Sequence, residues 1–319
     1  MNNVSDVLPF NLDNNNKKLF LLRNLNDLTE FHLNNCKEYR SLTEKFKIKN
    51  FKAKKLREIP YVPVRLFKHF KLLSIPETSI TKVMVSSGTS NNKVSKVYLD
   101  KNTSALQVKV LSKIVTDFIG SKRLPFLIID SKSIINNKQK FSARSAGALG
   151  FSIFGKEIEY ALEEDMSMNI ERIQNFIKKF QDKKILIFGF TFVVWKYFIK
   201  ELQKRNIKLN FSNSILIHGG GWKNMELESI DNDEFKNQIK ETINVSKIHN
   251  YYGMVEQTGS IYMECEFGYL HSSSFSDVII RDHKTHEILG VNKTGLIQLL
   301  SVIPKSYPGH SLLSEDIGE

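Results

Sequence analysis

Cysteine is nearly absent: Cys36 and Cys265 are the only two in 319 residues. So few thiols exclude a disulfide framework and fit a reducing, cytoplasmic compartment. Long hydrophobic runs are missing as well. The longest apolar stretches are about the length of single strands, so no membrane insertion is expected. Met1 to Phe10 has no basic start followed by an apolar core, which argues against a secretory signal. Acidic residues fall short of basic ones, 34 against 46, leaving a net charge of +12. Much of that excess lies between Lys45 and Lys71, and such a run can hold phosphates. No RNA- or DNA-reading motif accompanies it, and lysines are spread through the chain, so it reads as a solvated face without a nucleic-acid partner.

What is present is ordinary for a soluble enzyme-sized chain. Hydrophobic residues make up 41% and charged residues 25%, and a chain of this length buries roughly three quarters of its unfolded surface. Residues 1–30 are Asn-rich and weakly patterned, and read as an irregular arm with one short helix. Asn34 to Asn50 reads as a helix, with Cys36, Tyr39, Leu42 and Phe46 on one face. Pro60 and Pro63 then interrupt any regular helix. From Ser79 onward strands and helices alternate. Strands are expected at Ile80–Val85, Pro125–Asp130, Lys184–Phe188, Ser214–Ile217 and before Tyr252. Between them come a helix capped by Asp100 or Asn102 and ending before Gly120, and helices over Ile170–Phe180, Thr191–Arg205 and Asp233–Ile243. Such alternation implies crossover units and a largely parallel sheet. Ser142 to Gly155, rich in Gly and Ala, reads as tight backbone approach or a loop over a ligand. After Glu256, short strands at Ile261–Glu264, Ser276–Arg281 and Gly295–Val302 suggest a β-rich end. The expected division is a helical arm over 1–60, an α/β nucleotide-binding core over 61–260 and a β-rich subdomain over 261–319.

Three stretches carry chemistry. Asn250 to Ser260 ends a strand in two aromatics, turns at Gly253, and supplies Glu256. An aromatic face and an acid at the carboxyl edge of a parallel sheet suit a purine and a metal-bound phosphate chain; a buried Tyr pair with a surface Glu is the alternative. Ser86-Ser87-Gly88-Thr89-Ser90 follows a strand, so its N–H groups and hydroxyls can curl round an anion, with Lys96 in reach. The spacing is not that of a P-loop. His218-Gly219-Gly220-Gly221 ends another strand, where three glycines allow a planar ring to lie against the peptide edge or simply form a connector. Glu264-Cys265-Glu266 with His271 is not a zinc signature.

Ser86 to Ser90, Tyr252-Gly253-Met254-Val255-Glu256 and Ser314-Glu315-Asp316 resemble motifs of the acyl-adenylate-forming ligase superfamily. Phe188 to Phe192, Tyr252 to Ser260, Met263 to Glu266 and Ser306-Tyr307-Pro308-Gly309-His310-Ser311 resemble, in order, blocks of its acyl-protein synthetase (LuxE-like) family. The resemblance implies an α/β fold: the large N-terminal domain of such a ligase, with mostly parallel sheets, flanking helices and a β-rich C-terminal part. It implies ATP and Mg²⁺ as cofactors. Ser86, Ser87, Gly88, Thr89 and Ser90 would hold phosphates, Gly219, Gly220, Gly221, Tyr252 and Gly253 the adenine, and Asp316 the ribose. Glu256 would hold the metal, with Glu256, Lys96 and Thr89 serving catalysis. The implied reaction activates a carboxylic, fatty acid as acyl-adenylate and passes it to a thiol on a carrier protein, a reductase partner or CoA. An adenylating ligase for an amino or hydroxy acid, or a catalytically impaired nucleotide-binding subunit, is the alternative. Asn91 stands where many superfamily members have Gly, Lys96 comes slightly late, and Val255 replaces a hydroxyl residue. The superfamily's small C-terminal lid domain with its lysine, and the bioluminescence enzymes' C-terminal acyl-accepting cysteine, have no counterpart before Glu319. The expectation is therefore nucleotide binding with slow adenylation.

Overall fold

Leu124–Ser131, Ile185–Phe190 and Ser214–Gly219 are runs of aliphatic and aromatic residues in which every residue is buried. Strands covered on both faces take near-continuous hydrophobic sequence, and these three lie in the middle of a parallel sheet. The computed structural model describes residues 4–45, 52–86, 93–136, 143–222 and 229–319. By contacts the chain divides into a first unit, Met1–Ile114, Gly253–Ile261 and Ser272–Glu319, and a second, Val115–Tyr252 and Tyr262–His271.

The second unit is built on a seven-stranded sheet. Its order is Leu270–His271, Tyr262–Glu264, Lys247–Tyr252, Ser214–Gly219, Ile185–Phe190, Leu124–Ser131, Gly155–Leu162. The five strands from Lys247–Tyr252 outward pair in parallel, and the two short ones are antiparallel. Helices Ile170–Lys179 and Asn232–Ile243 are capped by the side chains of Asn169 and Asp231. The helical stretch 191–204 includes a π-helical segment, Val194–Ile199. The Gly- and Ala-rich stretch read as tight backbone approach or a loop is a helix, Ala143–Ser152. One of its two glycines gives the close approach: a Cβ on Gly147 would lie 2.9 Å from the Phe190 ring. The same helix carries Arg144, whose guanidinium pairs at 2.5 Å with the buried Asp130 carboxylate.

The first unit holds an antiparallel hairpin, Lys82–Val85 with Lys96–Leu99, and a four-stranded sheet. In that sheet Ser276–Arg281, Gly295–Ser301 and Ser311–Gly318 pair antiparallel, and Val62–Pro63 adds in parallel to Ser311–Gly318. The last strand runs through the stretch read only as a late-Asp motif. The N-terminal arm differs most from expectation. Asn14–Asn35 is one long helix, started by Asp13, whose carboxylate accepts from the N–H groups of Asn15 and Asn16. Leu21, Leu25, Leu28 and His32 form its buried face. A break at Cys36 separates it from Lys37–Lys45, shorter at its start than the helix expected from Asn34. Lys101–Ile119 begins at Asp100, which accepts from the Thr103 N–H at 2.8 Å, and ends before Gly120 at φ +90°. Among the described residues no helix is long and apolar enough to cross a membrane.

Candidate active site

In the first unit the site is built around Glu256. The carboxylate lies on a single 3₁₀ turn, Val255–Gln257, held from three sides. The buried Gln257 amide donates to the carbonyls of Leu299 at 3.1 Å and Gly309 at 2.8 Å. Gly259, at φ +93°, lets the turn press on the helix Lys101–Ile119, where a Cβ would come 2.8 Å from the Gln107 backbone. The hydroxyls of Ser260 and Ser301 are 2.6 Å apart. Gly309 closes the third side, since a Cβ there would meet the Glu256 carbonyl at 2.8 Å. Glu256 is 5% exposed and makes no ion pair among the described residues. Burial pushes its carboxyl up, the Ser95 hydroxyl and Lys68 offset this in part, and Asp316 adds to it. The Ser95 hydroxyl, though beside that carboxylate, is out of hydrogen-bond geometry. A buried carboxylate with no ion pair among the described residues suits a metal ion that arrives with a nucleotide, because Mg²⁺ needs only one or two protein carboxylates when phosphates complete its shell.

The stretch read as a phosphate loop begins at Ser86, after the strand Lys82–Val85. Ser87, Gly88, Thr89, Ser90 and Asn91 lie outside the described residues. The base of the loop is described: the Ser86 N–H donates to the Ser95 carbonyl at 3.1 Å, and the Ser95 N–H donates to the Ser86 Oγ at 3.0 Å. Ser86 and Ser95 are therefore held together by two hydrogen bonds. Lys96 pairs with Val85 beside that base and is exposed. Asp316 sits on the strand Ser311–Gly318, exposed, with its N–H donating to the Ser314 Oγ at 3.2 Å. Its neighbour Glu315 pairs with Arg65 at 2.6 Å and Lys68 at 3.2 Å, and these hold the Glu315 carboxyl below its ordinary range.

The glycine edge belongs to the second unit, and its three glycines differ. A Cβ on Gly219 would strike the Tyr251 ring at 2.3 Å, and one on Gly220, at φ +75°, the Phe190 ring at 2.8 Å. Of the three, only Gly221 has no described residue within 4 Å of an added Cβ. Tyr251 packs against Phe151 and Phe188, and Tyr252 has its ring 6.0 Å from that of Tyr262; both are half-buried. Beside the glycines, the Thr191 hydroxyl donates to the Gly219 carbonyl at 3.2 Å, so the His218 Nδ1–H donates to Thr191 at 3.0 Å. Burial drops His218 to about 3, which keeps this ring neutral. Glu264 is engaged in packing: Lys236 at 2.8 Å, Asn232 and the Asn250 N–H at 2.9 Å all reach its carboxylate. Burial would raise that carboxyl, but these partners bring it below its ordinary value. No group of three or more His, Cys, Asp or Glu suited to a metal occurs among the described residues.

Sequence reasoning missed Gln107, Gln257 and Tyr307. The first could have been noticed, because Thr103, Gln107, Val110 and Ile114 share one face of the helix and a glutamine among them must be buried.

The fold matches solved ligases. An open conformation of 2-hydroxyisobutyryl-CoA ligase, in complex with 2-HIB-AMP and CoA, aligns at TM-score 0.70 with 14% identity, covering 96% of this chain and 70% of that one. Its thioesterification-state structure aligns at 0.71, covering 96% and 64%. Two curated relatives are long-chain-fatty-acid–luciferin-component ligases. That of Aliivibrio fischeri is 23% identical over 90% of this chain and 76% of its own length, and that of Vibrio harveyi 24% over 91% and 76%. The sequence pattern of the acyl-protein synthetase family LuxE matches residues 2–319, and the chain belongs to that family of ligases.

Proposed function

We propose that this ligase activates a carboxylic acid, of the long-chain fatty class, with ATP, and passes the acyl group to a thiol on a protein or CoA. In the first step a carboxylate oxygen attacks the α-phosphorus and pyrophosphate leaves, giving an acyl-adenylate. In the second the acceptor sulfur attacks the acyl carbonyl and AMP leaves. Ser86 to Ser90 and Lys96 would hold the β- and γ-phosphates, Gly219 to Gly221 with Tyr252 and Gly253 the adenine, and Asp316 the ribose hydroxyls. Bound Mg²⁺ would offset charge on the phosphates. Glu256 would be its protein ligand, presented by a turn that cannot shift. Gly221, the one glycine of its run with no described residue against an added Cβ, is the favoured place for a ring edge.

One observation carries the reading most: a carboxylate buried on a rigid turn, with no ion pair among the described residues. Family membership and the names of the curated relatives support the acid class.

The test is calorimetric titration of ATP with and without Mg²⁺, on the wild type and Glu256→Gln. Glu256→Gln should lose the Mg²⁺-dependent part of the affinity and slow pyrophosphate release by orders of magnitude. Its ligand-free melting temperature should hold or rise, because a neutral amide escapes the cost of burying charge. A wild type that binds no ATP at millimolar nucleotide would sink the proposal.

A further inference from the structure

Behind Glu256 the first unit buries a set of polar atoms that nothing in the proposed chemistry uses. The Ser95 hydroxyl, the Gln107 amide nitrogen and the Tyr307 hydroxyl are all buried and have no hydrogen-bond partner among the described residues. Buried donors left unpaired cost about 1–3 kcal/mol each, so three together call for a shared explanation. They are also neighbours. Ser95 and Glu256 act on each other electrostatically, and so do Tyr307 and Glu256 and, by near hydrogen-bonding, Tyr307 and Gln107. Gly259 and Gly309 fix the backbones: the first lies on Gln107, the second between the Tyr307 ring and the Glu256 carbonyl.

The composition of the set is one-sided. Three groups can donate, and the acceptors beside them are the Glu256 carboxylate and the Gln257 Oε1, itself buried without a partner among the described residues. A buried water typically makes about three hydrogen bonds to polar groups otherwise unsatisfied. We propose that Ser95, Gln107 and Tyr307 are positioning residues for Glu256, holding its carboxylate through one buried water. The Gln107 amide donates to the Tyr307 oxygen. The Tyr307 and Ser95 hydroxyls donate to the water, and the water donates to the Glu256 carboxylate. Every proton in that chain points toward Glu256, so the set favours the ionised carboxylate against burial and aims it. The assignment rests on Glu256 being the metal ligand only for its functional consequence. The network itself stands on the orphaned donors.

Two variants separate this from a trapped, useless hydroxyl. Tyr307→Phe removes one oxygen and keeps the ring, and Ser95→Ala removes a second donor without touching the aromatic packing. The first readout is ligand-free melting temperature. The bridged network predicts that both variants melt lower than wild type; equal or higher melting temperatures overturn it, since deleting an unused orphan donor relieves the fold. The second readout is ATP affinity. With Mg²⁺ each variant should bind about tenfold more weakly, a loss in the range expected of a hydrogen bond to a charged group. In EDTA, affinity should match wild type. Equal losses with and without Mg²⁺ would mean general damage and would refute positioning. If wild-type affinity shows no Mg²⁺ dependence at all, it is the role of Glu256 that fails, and the melting temperatures alone then decide whether the bridge exists.

Discussion

Gly219→Ala is the sharpest test of how the glycine run is used. The added methyl would sit 2.3, 2.6 and 2.7 Å from three atoms of the Tyr251 ring. Carbon contacts settle near 3.5–4.0 Å, so the ring would have to retreat by about 1 Å. Its retreat is opposed by Phe151 at 5.3 Å and Phe188 at 6.3 Å between ring centres. Overpacking of this kind costs about 1–3 kcal/mol. In a chain of this size that lowers the melting temperature by roughly 2–10 °C. Gly221→Ala meets no described residue within 4 Å and should leave stability within about 0.5 kcal/mol of wild type. Its effect should appear only in calorimetry, as weaker ATP binding. Combining Gly219→Ala with Tyr251→Leu should recover part of the lost stability, the signature of a direct clash. A Gly219→Ala protein that melts like wild type yet no longer binds ATP would refute this division, and would place the ligand rather than Tyr251 over Gly219.

Lys236→Met should be the more destructive of two changes at Glu264. It strands a buried carboxylate and should cost about 3–5 kcal/mol in urea unfolding, while Lys236→Met with Glu264→Gln should recover much of it; equal stability of single and double variants would deny the pair a structural role. The acid limb of stability should come from buried histidines. Burial holds His32 down at about 3 and His310 well below its ordinary value, while both titrate near 6.5 once unfolded. A depressed histidine favours the fold above the unfolded value, so stability should be complete above about pH 6.5 and fall as pH drops toward about 3. The slope should approach about 1.4 kcal/mol per pH unit for each ring. Urea midpoints measured from neutral pH down to about pH 5 should show this, and His32→Gln should flatten it. An unchanged slope in that variant would clear His32.

Much of the fold is legible because burial on both faces leaves a plain trace. Leu124–Ser131, Ile185–Phe190 and Ser214–Gly219 are short, apolar and bounded by turn residues. No other element type fits such runs between helices of the observed length. Asn14–Asn35 leaves a weaker trace. Four of its first eleven residues are asparagine, a poor helix former, and its stability comes from tertiary packing. His32 stacks on His310 at 4.9 Å and bonds Ser74 at 2.8 Å, partners more than forty and more than two hundred residues away. Ala143–Ser152 misleads for the opposite reason. Glycine marks a loop by propensity, yet Gly147 is there so that Phe188 and Phe190 can close on the helix.

For the candidate site, sequence reveals the groups that carry charge and conceals those that aim them. Glu256 stands out beside Gly253 because an acid after an aromatic pair is rare in a strand end. Its orientation depends on Gln257, Gly259 and Gly309, and through the proposed bridge on Ser95, Gln107 and Tyr307. None of these six bears a charge, and they come from four separated stretches of chain. A glutamine reads as surface and a glycine as a turn until the neighbours are known. The Tyr-Tyr pair makes the same point within two residues. Tyr251 and Tyr252 are identical in sequence, but the pleat of the strand sets the first ring against Gly219, Phe151 and Phe188 and the second beside Tyr262. The first is thereby committed to packing, and the second keeps the face that a stacking role requires.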